Sequence, residues 1–210
     1  MNTSSFSRKL IFILYGVAVS LISLVFFVGT RLNIPFKKIT GDPALTFGEN
    51  PLTGFLSNIG VLFWCATTAI LLFTAILTFQ KKKTQQFIFF LSSGLLTMIL
   101  LLDDLFMVHD YLFYSIGWNQ YIMYAIYIVL LVIYFAAYTQ FILTLPFVYI
   151  LGLAFFFLGS SVLLDVIFET TNLEYFIEDS LKFLGIVSWF LFYVLNSFKS
   201  LAIPITTVST

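Results

Sequence analysis

The residues best suited to chemistry lie at 101–110, where Asp103, Asp104 and Asp110 surround His109, the single histidine of the chain. This segment closes a long apolar run. A carboxylate can bind a hard cation or exchange a proton, and an imidazole can ligate a metal or titrate near neutral pH. Because an ionisable side chain within or at the end of a membrane span is costly, we interpret the segment as part of a functional site.

Three sets of polar and ionisable residues have helical spacing. Ser93, Thr97 and Asp104 are separated by four and then seven residues, so they form one polar stripe along the apolar run before His109. Ser161, Asp165 and Glu169 follow at i, i+4 and i+8, so they share one face of a helix. Glu178 precedes Lys182 by one helical turn, which is the favourable order for an ion pair within a helix. We expect this pair to face the interior of the helical bundle and to act as a structural ion pair.

The sequence predicts that these groups converge on one cation site. Several carboxylates cannot stay ionised close together without compensation, and Lys182 supplies a single positive charge. A divalent metal would supply the remaining positive charge. If Asp104 and Asp165 share this metal, we expect their carboxyl groups to lie within about 6 Å of each other, the range over which such charges interact strongly. The expected catalytic residues are Asp104, His109 and Asp165, and the expected metal ligands are Asp104, His109, Asp165, Glu169 and Glu178.

The elements that must position these residues are membrane-spanning helices. The chain of 210 residues is 60% hydrophobic and 10% charged, and several apolar runs reach the length of about 20 residues that a bilayer requires. Irregular backbone cannot face lipid, so we expect an all-α polytopic bundle, forming a single transmembrane domain over residues 1–210. Its six predicted spans are 10–29, 55–79, 87–108, 121–141, 146–168 and 177–198, with a loop at 30–54.

Charge predicts the orientation of the spans. With six spans, the N-terminus, the connection after the second span and the end of the sixth span fall on one side. That side is rich in basic residues, so the positive-inside rule makes both termini cytoplasmic in a cell-membrane protein. All ten carboxylates then fall towards the extracytoplasmic side. The basic residues on the cytoplasmic side are Arg8, Lys9, Lys81, Lys82, Lys83 and Lys199.

Composition excludes several kinds of site. The single cysteine, Cys65, excludes an intramolecular disulfide and a thiolate-rich zinc or iron–sulfur centre, and we expect its thiol to be buried. One histidine excludes a bis-histidine haem. The expected partners are the bilayer and a lipid or small-molecule ligand, and nucleic acid is not expected. A divalent metal is the one cofactor predicted.

The fourth predicted span is rich in tyrosine. Tyr127, Tyr134 and Tyr138 share one face of this helix. Tyrosines on a common face favour packing between helices with hydrogen bonds from their hydroxyl groups. A pocket wall for a lipid tail or a flat apolar ligand is the alternative.

Three functions fit these patterns. The first is a membrane-embedded, metal-dependent enzyme that acts on a lipid, with the metal polarising an ester or phosphate oxygen. The second is a transporter or channel for a cation or proton, which requires polar groups across the whole bilayer. The third is a non-catalytic membrane subunit whose acidic rim binds a partner. If the protein is an enzyme, removal of the carboxylates should abolish activity but leave assembly largely intact. If it is a subunit, assembly itself should fail.

Overall fold

The regular structure of this chain is helical wherever the computed structural model describes it. The chain divides into two compact units, residues 1–55 and residues 56–210, and the prediction of a single domain stays a prediction. The described residues are 15–16, 19–20, 22–36, 38, 47–50, 52–108, 120–167 and 172–202.

The first unit contains a short apolar helix, α1 (Ile22–Arg31). The Phe26 ring stacks on Phe36 at a centroid distance of 5.6 Å, and the Arg31 guanidinium lies 5.3 Å from the centre of the Phe27 ring. Part of the first predicted span, before α1, lies outside the described residues. The count of six spans therefore stays a prediction.

The second unit contains five helices that are long and apolar enough to cross a membrane, within the part of the chain that the structure describes. They correspond to the second to sixth predicted spans, so the prediction of a membrane-type helical bundle is confirmed at this level. Their bounds are α2 (Phe55–Gln80), α3 (Thr84–Phe106), α4 (Gln120–Thr144), α5 (Val148–Ile167) and α6 (Asn172–Leu201).

Two helix ends differ from the bounds of the predicted spans. The helix α3 ends at Phe106, two residues before the predicted end of the third span, because Met107 adopts a left-handed conformation with φ of 47° and its N–H donates to the Asp103 carbonyl. The helix α4 continues to Thr144, three residues beyond the predicted end of the fourth span. Pro146, the predicted start of the fifth span, lies in the turn before α5.

The helix α6 lies at the centre of the second unit. Its Trp189 ring contacts Trp64 of α2 at a centroid distance of 5.9 Å and Phe155 of α5 at 5.7 Å. Trp189 also donates a hydrogen bond to Thr97 of α3, and Tyr193 is hydrogen-bonded to Tyr134 of α4. A single helix thus contacts each of the other four.

The exposure of Cys65 on α2 differs from the prediction of a buried thiol. Cys65 is exposed on the surface of the described unit, although a free cysteine within an apolar run is usually buried. In a membrane protein the exposed surface of a span faces lipid, which is as apolar as a protein core, so hydrophobicity alone does not specify the buried face.

The contact between α5 and α6 depends on a glycine. A Cβ atom at Gly185 would lie 2.6 Å from Leu158 Cγ and 3.0 Å from the Leu158 backbone nitrogen. Side chains can rotate away from such a clash, but the backbone of α5 cannot. Small residues at helix interfaces let two backbones approach closely in this way.

Gly185→Ala is therefore expected to lower the free energy of unfolding by about 1–3 kcal/mol, the usual cost of overpacking a core. The control is Gly159→Ala in α5, because no described atom lies within 4 Å of a Cβ built at that glycine. Unfolding of the two purified variants in detergent measures the difference. Equal stability of both variants would contradict the assigned contact.

Candidate functional site

The central ionic contact joins α3 to α6. Lys182 Nζ donates to Asp104 Oδ1 at 2.5 Å, and the side chains of Asp104 and Lys182 are 8% and 34% exposed. The two residues are 78 positions apart in the chain, so the contact fixes one helix against the other. We call this region, with Asp103, Asp104 and Lys182, the Asp104 end of the bundle.

Helical spacing predicted a different partner for Lys182. This predicted partner is Glu178, which is half-buried one turn earlier in α6. The structure gives Lys182 a partner on another helix, Asp104, which helical spacing could not identify. The pair between Glu178 and Lys182 stays a prediction.

A second carboxylate, Asp103, is also buried at this end, with an exposed fraction of 9%. The Tyr127 hydroxyl of α4 lies beside it. This hydroxyl and Asp104 Oδ2 are both buried, and neither makes a standard hydrogen bond with a described residue. Two carboxylates accompany one ammonium group here, so the formal charges of these three side chains sum to −1.

The other predicted metal ligands are His109, Asp165, Glu169 and Glu178. Asp165 of α5 and Glu178 of α6 are half-buried, whereas His109 and Glu169 lie outside the described residues. Among the residues that the structure describes, no group of three or more His, Cys, Asp and Glu side chains could hold a metal ion. Asp104, Asp165 and Glu178 therefore do not form a metal site by themselves, and the five-residue site stays a prediction.

A polar contact between α3 and α6 lies deeper in the bundle. Trp189 Nε1 donates to Thr97 Oγ1 at 3.1 Å, and Thr97 Oγ1 donates to the Ser93 carbonyl at 2.8 Å. Thr97 is completely buried and Trp189 is 1% exposed. The predicted polar stripe of Ser93, Thr97 and Asp104 on α3 does face the interior of the unit.

Three hydroxyl groups join α3, α4 and α6 one turn further along. Ser93 Oγ lies 2.6 Å from the Tyr134 hydroxyl, which lies 3.0 Å from the Tyr193 hydroxyl. Ser93 Oγ also donates to the Phe89 carbonyl at 2.8 Å. Since a hydroxyl has one proton, Tyr134 then donates to Ser93, and Tyr193 donates to Tyr134.

A parallel contact lies beside this group. Ser92 Oγ is 2.7 Å from the Tyr138 hydroxyl. These bonds confirm for Tyr134 and Tyr138 that tyrosines of α4 pack between helices and make hydrogen bonds. Helical spacing identified the shared face of these two residues but not Tyr193, which is aromatic and lies within an apolar run.

The opposite end of the same helices also contains buried polar groups. Asn196 and Ser197 of α6 are 1% and 2% exposed, and Gln86 of α3 is half-buried. Asn196 Oδ1, Ser197 Oγ and Gln86 Oε1 are buried and make no hydrogen bond with the described residues. We call this region the Asn196 end.

The two ends and the hydroxyl groups between them form a polar core. All five buried side-chain atoms without a hydrogen-bond partner, among the described residues, lie on α3, α4 and α6. From Gln86 to Asp104, α3 rises about 27 Å at roughly 1.5 Å per residue, close to the hydrocarbon thickness of about 30 Å. The described members of the polar core are Gln86, Ser92, Ser93, Thr97, Asp103, Asp104, Tyr127, Tyr134, Tyr138, Lys182, Trp189, Tyr193, Asn196 and Ser197.

The polar core has a wide interval between Thr97 and Asp104. Two helical turns of α3 separate these residues, which corresponds to about 10 Å. Tyr127 precedes Tyr134 by two turns in α4, so its buried hydroxyl lies within this interval, beside Asp103. The polar groups thus follow one another along the bundle without a continuous chain of direct hydrogen bonds.

Comparison with known proteins gives the family of the chain but no assigned activity. No curated protein and no solved structure matches the sequence. One family does match, over residues 9–195, and its description is a domain of unknown function (DUF8692). Because this match includes nearly all of the helical bundle, the chain belongs to that family.

Proposed function

We propose that this protein is a membrane transporter that moves, or is driven by, a proton or small cation. The observation that carries the proposal is the polar core, which extends along α3 and α6 for almost the thickness of a bilayer. Polar and ionisable side chains within spans are costly and commonly mark the pathways of ions and protons. By sequence, the half of the bundle away from Asp104 contains few polar groups, with Asn196 among them, and the Asn196 end adds the buried atoms of Gln86 and Ser197.

Asp104 is the proposed entry site for the cation. One of its carboxylate oxygens is paired with Lys182, and the other, Oδ2, is buried with an open acceptor position. A proton or cation at Oδ2 would weaken the attraction of Asp104 for Lys182. Since Lys182 is about one-third exposed, its ammonium group can turn towards water when the pair weakens. Binding is thereby coupled to the contact between α3 and α6.

We propose that the Asp104 end faces the extracytoplasmic side of the cell membrane, as the positive-inside rule requires. The opposite end is basic: Lys81 Nζ donates to the Leu201 carbonyl at 3.1 Å, and Lys82 and Lys199 are exposed near it. A cysteine that replaces Lys82 should react with an impermeant reagent only after the cells are permeabilised. Reaction in intact cells would reverse the orientation.

A divalent metal is one form of the proposed cation. His109 and Glu169 would then complete the ligands around Asp104, since carboxylate oxygens suit hard divalent ions and imidazole suits softer ones. A divalent metal bound at this position is also what the predicted metal-dependent enzyme would require. Transport is the broader proposal because it uses the buried groups at both ends of the bundle.

Asp104→Asn should reduce cation movement at least tenfold. The amide keeps the size of the carboxylate but has neither its charge nor its basicity, so it cannot hold a proton or compete for a cation. The assay uses purified protein in sealed liposomes with an imposed gradient of protons, sodium ions or manganese ions, and an internal dye that responds to the ion tested. The wild-type protein should dissipate at least one of these gradients faster than protein-free liposomes.

The matched control is Asp179→Asn, which removes the same charge from an exposed position of α6, three residues before Lys182. It should transport at the wild-type rate. Transport that is unchanged by Asp104→Asn would remove the proposed entry site. If the folded wild-type protein moves none of the three cations, the polar core serves only to hold the helices together, and the proposal is wrong.

A further inference from the structure

Asn196 and Ser197 form the strongest candidate for a binding site away from Asp104. Asn196 Nδ2 donates to the Phe192 carbonyl at 2.8 Å, which fixes the orientation of the amide. Its Oδ1 atom is buried and accepts no hydrogen bond from a described residue. An acceptor that is buried without a donor costs the full desolvation energy of the group, so a partner is expected.

Ser197 differs from two other serines of the same helix. Ser180 and Ser188 donate to the carbonyls of Phe176 and Leu184, four residues earlier. The Ser197 hydroxyl is buried but makes no such bond, nor any other with the described part of the chain. Its oxygen is therefore free to bind a ligand beside α6.

Buried threonines of α2 lie at a similar height. The helices α2 and α6 are parallel, since Trp64 contacts Trp189 near the middle and Lys81 contacts Leu201 at the end. Thr74 and Thr78 therefore lie near the level of Asn196 and Ser197. Both threonine hydroxyls donate to carbonyls of their own helix, which leaves their oxygens as acceptors.

We propose that the Asn196 end binds a monovalent alkali cation, and Na⁺ is the ion of suitable size. The site would lie on the pathway of the proposed transport, so this inference rests on the proposed function. The polar atoms available there are neutral oxygens whose remaining capacity is mainly to accept. Such oxygens replace the hydration shell of an alkali ion in membrane proteins, whereas divalent ions favour carboxylates. The charge of Lys81 is exposed and engaged with a carbonyl, so water and salt screen its repulsion.

Sodium should stabilise the folded protein in a saturable way. At a concentration tenfold above half-saturation, the apparent Tm in detergent should rise by about 3–6 °C relative to N-methylglucamine chloride of the same ionic strength. Ser197→Ala should weaken the apparent affinity for sodium by about tenfold. Ser188→Ala is the control and should respond as the wild type does, because the Ser188 hydroxyl is engaged with its own helix.

Asn196→Asp distinguishes a bound cation from bound water. If the oxygens hold a cation, the added negative charge should increase the affinity for sodium at least tenfold. If they hold water alone, the variant should be equally destabilised in sodium and in N-methylglucamine, and the inference is wrong. A wild-type Tm that does not depend on sodium would also overturn it.

Asp104→Asn separates this inference from the proposed function. The two sites lie at opposite ends of the bundle, so this variant should keep the sodium-dependent rise in Tm while it loses transport. Loss of that rise in Asp104→Asn, with no change in Ser197→Ala, would place the sodium ion at the Asp104 end and overturn the inference. A sodium response that depends on Ser197, without any cation movement in liposomes, would support the inference and contradict the proposed function.

Discussion

Lys182→Met is expected to lower the free energy of unfolding by about 3 kcal/mol. Breaking a buried ion pair by removing one partner typically costs about 3–5 kcal/mol, because the remaining charge is left in a medium of low dielectric constant. The lower end of this range applies here, since Asp104 is buried but Lys182 is about one-third exposed to solvent. Equilibrium unfolding of the purified protein in mixed micelles measures the loss.

The double variant Asp104→Asn with Lys182→Met should be more stable than Lys182→Met alone. Removing both charges eliminates the buried carboxylate that the single variant leaves unpaired. A second double variant, Glu178→Gln with Lys182→Met, tests the pair that the sequence predicted. If this second variant recovers more stability than the first, Glu178 rather than Asp104 is the main partner of Lys182.

Trp189→Ala is expected to lower the free energy of unfolding by at least 3 kcal/mol. The indole contacts Trp64, Phe155 and Tyr193 with ring centroids 5.2–5.9 Å away, and its N–H donates to Thr97. Truncation to alanine leaves a cavity among helices α2, α3 and α5, and truncation of a buried tryptophan usually costs about 3–5 kcal/mol. It also removes the donor of a buried hydrogen bond.

Phe198→Ala is the matched control for the tryptophan variant. Phe198 lies on the same helix and is 76% exposed, so in the bilayer its ring contacts lipid and its removal creates no cavity. Its loss should change stability by about 0.5 kcal/mol or less. Comparable losses in both variants would contradict the central position of α6 in the bundle.

The contacts of α6 also explain why stability and the proposed transport are connected. Lys182, Trp189 and Tyr193 lie along one side of this helix and contact α3 or α4 through polar atoms. A change in the charge at Asp104 therefore acts on the same helix that holds the hydroxyl groups in the middle of the bundle. Under the proposed function, a cation that binds at Asp104 would shift this helix between two arrangements.

The sequence by itself determined the class of fold and the faces of several helices. Lipid permits only spans that satisfy their own backbone hydrogen bonds, so long apolar runs must be helices. Polar residues spaced by the helical period then mark the interior, as Ser93, Thr97 and Asp104 do on α3 and as Tyr134 and Tyr138 do on α4. These predictions depend on one helix at a time, and the structure confirms them.

Only the tertiary structure decided which helix contacts which. Spacing fixes the direction of a side chain about the axis of its own helix, but it does not identify the neighbour in that direction. The sequence therefore predicted an ion pair of Lys182 with Glu178, one turn away, but could not identify the contact that the lysine makes with Asp104 on α3. It also gave no sign that Cys65 faces outward, because lipid and protein interior are equally apolar and no hydrophobic periodicity separates them.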